Sequence, residues 1–271
     1  MGDADILIRM ENREKIRSLM EKLGFREEKE TYHEWIWLRK DLFLELHKCL
    51  FAEVERDFAP VFGDGWEKAR QVSGRRFELP PEETYVFLFT HMAKHYRSNG
   101  IGARQFVDLF VYRRAHPEMN EEKIRGIMGR LHLLEFYQNT CNMLRVWFEG
   151  GQPDEKTEIM TRYVLSGGNW GDEETGFVTV QAKAGRNGNA RIRAIWEAIF
   201  PPLERMRYSF RILFRYPWLY PILWPVRWVQ GILTRPGQII RKFRVVGSVS
   251  NEKVDKRLAE LESVGLRFYE K

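Results

Sequence analysis

A chain of 271 residues with 44% apolar and 30% charged residues can bury a core of its own, which excludes wholesale disorder. Two cysteines, Cys49 and Cys141, in unrelated surroundings exclude a disulfide framework and a zinc ribbon, and point to a reducing compartment. The net charge of +6 is too mild to indicate nucleic acid by itself, and it is unevenly spread: residues 201–245 hold nine Lys/Arg and nine aromatics against one acid, Glu204. The opening Met-Gly-Asp-Ala-Asp is acidic where an export signal is basic and then apolar, so a cytoplasmic protein is expected.

Residues 3–8, Asp-Ala-Asp-Ile-Leu-Ile, read as a short strand. A helix follows, with Asn12 as its cap, Ile16, Leu19, Met20 and Leu23 as one apolar stripe, and Gly24 in the left-handed position that ends it. Two strands are expected at 32–39 and 42–50, joined by a turn at Lys40-Asp41. The period then lengthens to 3.6. Pro80-Pro81-Glu82-Glu83 is a helix start, because proline is tolerated in the first turn and acids complement the dipole; Asn99-Gly100 is the stop. Further helices are expected at 103–115, 120–131 (capped by Asn120), 133–149, 155–165, 190–199 and 250–263, with loops at 167–171 and 185–189. The fold class is α+β: a small N-terminal mixed or antiparallel sheet with a flanking helix, then a larger helical domain. The expected segments are 1–75, 76–200 and a basic, aromatic C-terminal stretch, 201–271.

The chemistry resides in the first segment. Asp3 and Asp5, two apart on a strand, project from one face, while Ala4, Ile6 and Ile8 take the other and are expected to be buried. Two carboxylates held that close repel unless a cation sits between them. In Leu42-Phe43-Leu44-Glu45-Leu46-His47 the leucines alternate onto one face and Glu45 and His47 share the other. If this strand lies beside residues 3–8, Glu45 joins the aspartates, and three carboxylates around one or two Mg²⁺ or Mn²⁺ suit in-line nucleotidyl transfer. His47 is then placed to hydrogen-bond a ligating carboxylate. The plainer alternatives are solvated aspartates at a chain start and an exposed acid on an open sheet face.

Several stretches taken in order carry a resemblance. They are Gly2-Asp3-Ala4-Asp5-Ile6-Leu7-Ile8, the helix ending in Leu23-Gly24-Phe25, and Leu44-Glu45-Leu46-His47. There follow Leu79-Pro80-Pro81-Glu82, His91-Met92-Ala93-Lys94-His95, Val107-Asp108-Leu109, the loop 165–171 and Phe200-Pro201-Pro202. Over roughly residues 2–235 this order is similar to the uncharacterised bacterial nucleotidyltransferase family of the DNA polymerase beta-like superfamily. The resemblance implies Asp3, Asp5 and Glu45 as metal-binding and catalytic carboxylates, a nucleoside triphosphate as donor and an acceptor hydroxyl. It also implies a phosphate-gripping strand and helix ahead of the paired aspartates, where this sequence begins. The alternative expectation is therefore a truncated, catalytically inactive family member that serves as a binding or membrane-surface module.

His91 and His95, four apart on a helix, share a face, and Asp108 on the next helix would complete a two-histidine, one-carboxylate metal set. The other reading of these residues is support for the core or for the active site, where the resemblance places them. Lys94, Arg97 and Arg104 are candidates to meet nucleotide phosphates, and Tyr96 and Trp170 to stack on a base. For 208–233 the expected roles are, in order, packing or an oligomer contact, an anionic membrane surface at the inner face of the membrane, and single-stranded nucleic acid. No recognisable nucleic-acid module accompanies the segment, its prolines are expected to prevent a long helix, and it is too short to span a bilayer.

Overall fold

Strict alternation in Glu34-Trp-Ile-Trp-Leu-Arg39 and Leu42-Phe-Leu-Glu-Leu-His47 produces a hairpin with one oily face and one polar face. In the computed structural model, described for residues 4–31, 33–40, 42–52, 57–98, 100–166, 178, 196, 199–210, 212–234 and 251–267, these strands are β3 (Glu34–Arg39) and β4 (Leu42–His47). They pair antiparallel, with Trp35 opposite Leu46 and Trp37 opposite Leu44. Lys40 turns the chain at a φ of 53°. Strand β1 (Ala4–Leu7) adds to β4 in parallel and β2 (Arg26–Glu30) to β3 antiparallel, so the sheet runs β1-β4-β3-β2. The mixed sheet expected from the sequence is present.

Helix α1 (Arg13–Lys22) closes over the oily face. Asn12 caps it by accepting the Lys15 N–H, and Gly24 follows at a φ of 79°. Met20, Phe25, Trp35, Trp37 and Leu46 form the core, flanked by Ile8, Met10, Ile16, Leu42 and Leu44. Leu19 and Leu23, expected in the buried stripe, are exposed, as is Ile6. For Ile6 the reason is its position: among the described residues β1 is an edge strand, with a neighbour on one side only. Strand β2, Arg-Glu-Glu-Lys-Glu, has no apolar alternation and was not expected. Ion pairs fasten it to α1, Arg17 to Glu27 at 2.9 Å and Arg13 to Glu30, and both guanidinium groups lie over the Trp35 ring. A short helix, α2 (Ala59–Phe62), adds Phe62 to a cluster with Phe51 and Phe58.

Contacts divide the chain into two units, Met1–Ala69 with Phe200–Gln230, and Arg70–Ile199 with Gly231–Lys271. The stretch expected as a third segment is thus shared between them. The second unit opens with an unexpected hairpin, β5 (Arg70–Ser73) and β6 (Arg76–Glu78), whose residues are all exposed. Its helices are α3 (Pro81–Ser98), α4 (Ala103–Ala115), α5 (Glu121–Arg130), α6 (Leu134–Glu149) and α7 (Glu155–Ser166), each within a residue or two of expectation. Tyr85, Phe89, Tyr96, Phe106, Phe136 and Tyr137 are fully buried among them.

In the C-terminal stretch, α8 (Leu203–Ser209) and α9 (Ile212–Arg215) lead through a 3₁₀ turn at Pro217–Leu219 into α10 (Tyr220–Thr234). The prolines do not break α10. Pro221 sits in the first turn, where no N–H bond is lost, and Pro225 costs a single bond early in the helix. The last described helix, α11 (Asn251–Ser263), packs in the second unit. The expected helix at 190–199 and the loops at 167–171 and 185–189 lie outside the described residues, apart from isolated positions in the helix.

Trp37 is completely buried, and its indole N–H has no partner among the described residues. Trp37→Ala is expected to lower stability by about 3–5 kcal/mol. Trp37→Phe should cost clearly less, since it keeps a ring and removes an unsatisfied donor. Urea unfolding followed by circular dichroism measures both.

Candidate metal centre on the sheet

The parallel pairing of β1 with β4 sets Asp5 directly beside Glu45 and Leu7 beside His47. The three leucines of β4 point into the core, so Glu45 and His47 are forced to the other face, where Asp5 joins them. His47 Nε2 lies 3.3 Å from Asp5 Oδ1 and 3.5 Å from Glu45 Oε2. One ligand atom from each of the three lies within 4.8 Å of the others. The Asp5 side chain is 44% exposed, Glu45 23% and His47 16%, so the group is anchored from the sheet and open on the aspartate side.

Burial alone would push the His47 pKa down. Hydrogen bonds to Asp5 and then Glu45, with their charges, outweigh it and raise the value to about 9. An imidazolium therefore occupies the point where both carboxylates converge. That is the donor set a hard divalent cation accepts: carboxylate oxygens converging on one point, with open coordination toward solvent. Mg²⁺ or Mn²⁺ fits Asp5 and Glu45 on these grounds. Asp3 lies outside the described residues.

A second group shares His47. Glu34 pairs across the β3–β4 ladder with His47, and His33, Glu34 and His47 also place their ligand atoms within 4.8 Å of one another. The His33 and His47 rings meet edge to face at 4.8 Å. A hydrogen bond from His33 holds the Glu34 carboxyl below its usual range, against the effect of burial. Neither His33 nor Glu34 stands out in the sequence. The available signal is hairpin register, since a turn at Lys40-Asp41 places residue 34 opposite residue 47.

The other candidates belong to the second unit. His91 and His95 meet on α3, Nε2 to Nε2 at 3.4 Å, with His91 stacked on Phe87. Asp108 does not complete them. It is exposed on α4 beside Arg104 at 3.8 Å, and among the described residues no group of three ligands includes His91, His95 or Asp108. Lys94 is half-buried on α3. Arg97 is buried and donates to the Arg267 carbonyl, so it is spent on packing rather than held out to a phosphate. Tyr96 is core, and Trp170 lies outside the described residues.

A family model described as an uncharacterised nucleotidyltransferase matches residues 1–149, more than half of the chain. The chain belongs to that family. The match spans the sheet, its Asp5–Glu45–His47 group and the helices through α6. No curated protein and no solved structure matches the chain.

The folded pKa of His47 stands above its unfolded value of 6.5. The stability it supplies to this nucleotidyltransferase family member is therefore complete below about pH 6.5 and is lost as pH rises through about 9. In protein freed of divalent ions with EDTA, NMR titration of the imidazole should find His47 near 9. The Asp5→Asn/Glu45→Gln variant, left with burial and the more distant charge of Glu34, should titrate well below the parent. Loss of the resonance in His47→Asn assigns it.

Proposed function

We propose that this family member is a metal-dependent nucleotidyltransferase that moves a nucleoside monophosphate from a triphosphate onto an acceptor hydroxyl. The observation that carries the reading is the β1–β4 register, which brings Asp5 and Glu45 side by side on the face away from the core. Family membership supports the class of reaction. Asp5 and Glu45 would hold Mg²⁺ or Mn²⁺, with Asp3 as the third carboxylate of the Asp-x-Asp pair. The cation supplies charge neutralisation on the triphosphate and a lowered pKa for the attacking hydroxyl.

The chain's own contribution is positional. Strand β4 is held between two neighbours and buries its leucines, so Glu45 is fixed to a rigid element. Strand β1 carries Asp5 at the sheet edge, where a large substrate can approach. Before a cation binds, His47, with Nε2 3.3 Å from Asp5 and 3.5 Å from Glu45, keeps the two carboxylates converged against their mutual repulsion. In the transfer, the acceptor oxygen bonds to the α-phosphorus as the bond to the bridging oxygen breaks. Pyrophosphate leaves with that electron pair, and the acceptor proton passes to solvent.

Calorimetry with the four common ribonucleoside triphosphates, each with and without Mg²⁺, tests the reading. At least one is expected to bind only when Mg²⁺ is present, and Asp5→Asn/Glu45→Gln should weaken it roughly tenfold or more. Mn²⁺ binding alone, followed by electron paramagnetic resonance, should be lost in the same variant. Equal binding by both proteins removes the metal site. Binding that survives without any transfer to acceptors would instead favour an inactive nucleotide-binding member.

A further inference from the structure

We propose that the exposed stripe of α10 docks the protein onto the anionic surface of a phospholipid bilayer. Ile222, Val226, Val229 and Leu233 recur at spacings of four, three and four, which places them on one face of α10, and Trp218 in the turn before it extends the row. All five are exposed, from 40% at Val226 to 76% at Leu233. A 15-residue helix is about 22 Å long, so this is a continuous apolar strip rather than scattered surface residues.

The opposite side of the N-terminal part of the helix is engaged within the first unit. Trp224 packs on Phe200 at 4.7 Å and on Tyr220 at 4.8 Å, and the Tyr220 hydroxyl donates to the Pro201 carbonyl at 2.8 Å. The helix is thereby held with its apolar stripe outward. Mobility of α10 is not needed to expose it.

Charge selects the occupant. From residue 205 to residue 251 the sequence contains no acid, while Arg205 and Arg215 are exposed, as are Tyr216 and Trp218, and Arg215 lies over the Tyr216 ring. Burial, and then the charge of Arg205, lower the pKa of the Arg227 guanidinium, so Arg205 lies close enough to Arg227 to repel it. A bilayer bearing anionic headgroups supplies both missing parts, phosphate for the arginines and acyl chains for the stripe, and tryptophan and tyrosine favour the boundary between them. No helix among the described residues is long and apolar enough to cross a membrane, so the contact is a surface one.

The test is co-sedimentation of the full chain with vesicles, and it needs no nucleotide, so it stands apart from the proposed activity. Vesicles of phosphatidylcholine alone are compared with vesicles in which a third of the lipid is phosphatidylglycerol. The chain should sediment with the anionic vesicles and stay in solution with the neutral ones. Ile222→Asn/Val229→Asn/Leu233→Asn should lower the partition coefficient roughly tenfold or more while the circular dichroism spectrum is unchanged, because all three side chains are exposed. Arg205→Ala/Arg215→Ala and raised salt should each weaken binding. The proposal is overturned if anionic vesicles leave the protein in solution, or if the triple asparagine variant binds as the parent does. It is equally overturned if the parent is a dimer that this variant converts to monomer, since a second copy would then be the occupant.

Discussion

Everything at the Asp5–Glu45–His47 group depends on one backbone interaction, the parallel ladder between β1 and β4. A shift of one residue in that register would bring Asp5 opposite a leucine and turn it to the core face, because side chains alternate with a period of two. The observed register also carries a cost. Like charges directly across a ladder destabilise it, and β1, described over Ala4–Leu7, has no second neighbour among the described residues. His47 offsets that cost by placing one protonated nitrogen between the two carboxylates. The same positive charge answers Glu34 across the other ladder, so a single imidazole balances acids on both sides of β4.

That arrangement explains why His47 is held so firmly. It is the least exposed of the three members of the group, its ring meets His33 edge on, and its Nδ1 is buried with no partner among the described residues. A histidine serving only as surface decoration would not be fixed from three directions. Its protonated state and a cation would compete for the same space between Asp5 and Glu45, so occupancy by metal would require the imidazole to release its proton or turn aside.

The parts of this design visible in the sequence are those that local chemistry dictates. The leucine alternation in 42–47 identifies the face of Glu45 and His47, Asn12 and Asn120 announce their helices by capping, and the helical half is legible from its 3.6 period. Tertiary context determines what could not be read. Strand β2 is all charge, and it becomes a strand because β3 offers a free edge and α1 offers two arginines. Ile6 follows the alternation yet stays exposed, because alternation identifies a face but not whether a helix covers it there. His33 and Glu34 become visible as partners of His47 only once the hairpin register is known. The prolines of α10 mislead for a different reason, as their effect depends on how far into the helix they fall.

The exposure of α10 is not a simple consequence of the C-terminal composition, as comparison with α11 shows. Both helices follow Phe200 in the chain. In the region of α11, Leu261, Val264 and Leu266 are buried, Arg257 donates to the Tyr96 carbonyl at 2.6 Å and lies over the Tyr163 ring, and Asn139 donates to the Val264 carbonyl. Gly265, at a φ of 87°, lets the chain approach Glu135 more closely than any Cβ would permit. Its apolar groups and Arg257 are thus turned into the protein. Helix α10 has the same kinds of residue and leaves a full apolar stripe of them facing outward. A helix can spend its apolar surface inside its own fold, as α11 does; one that does not is stable only because its other face is anchored, and the outward face is then available to bind something else.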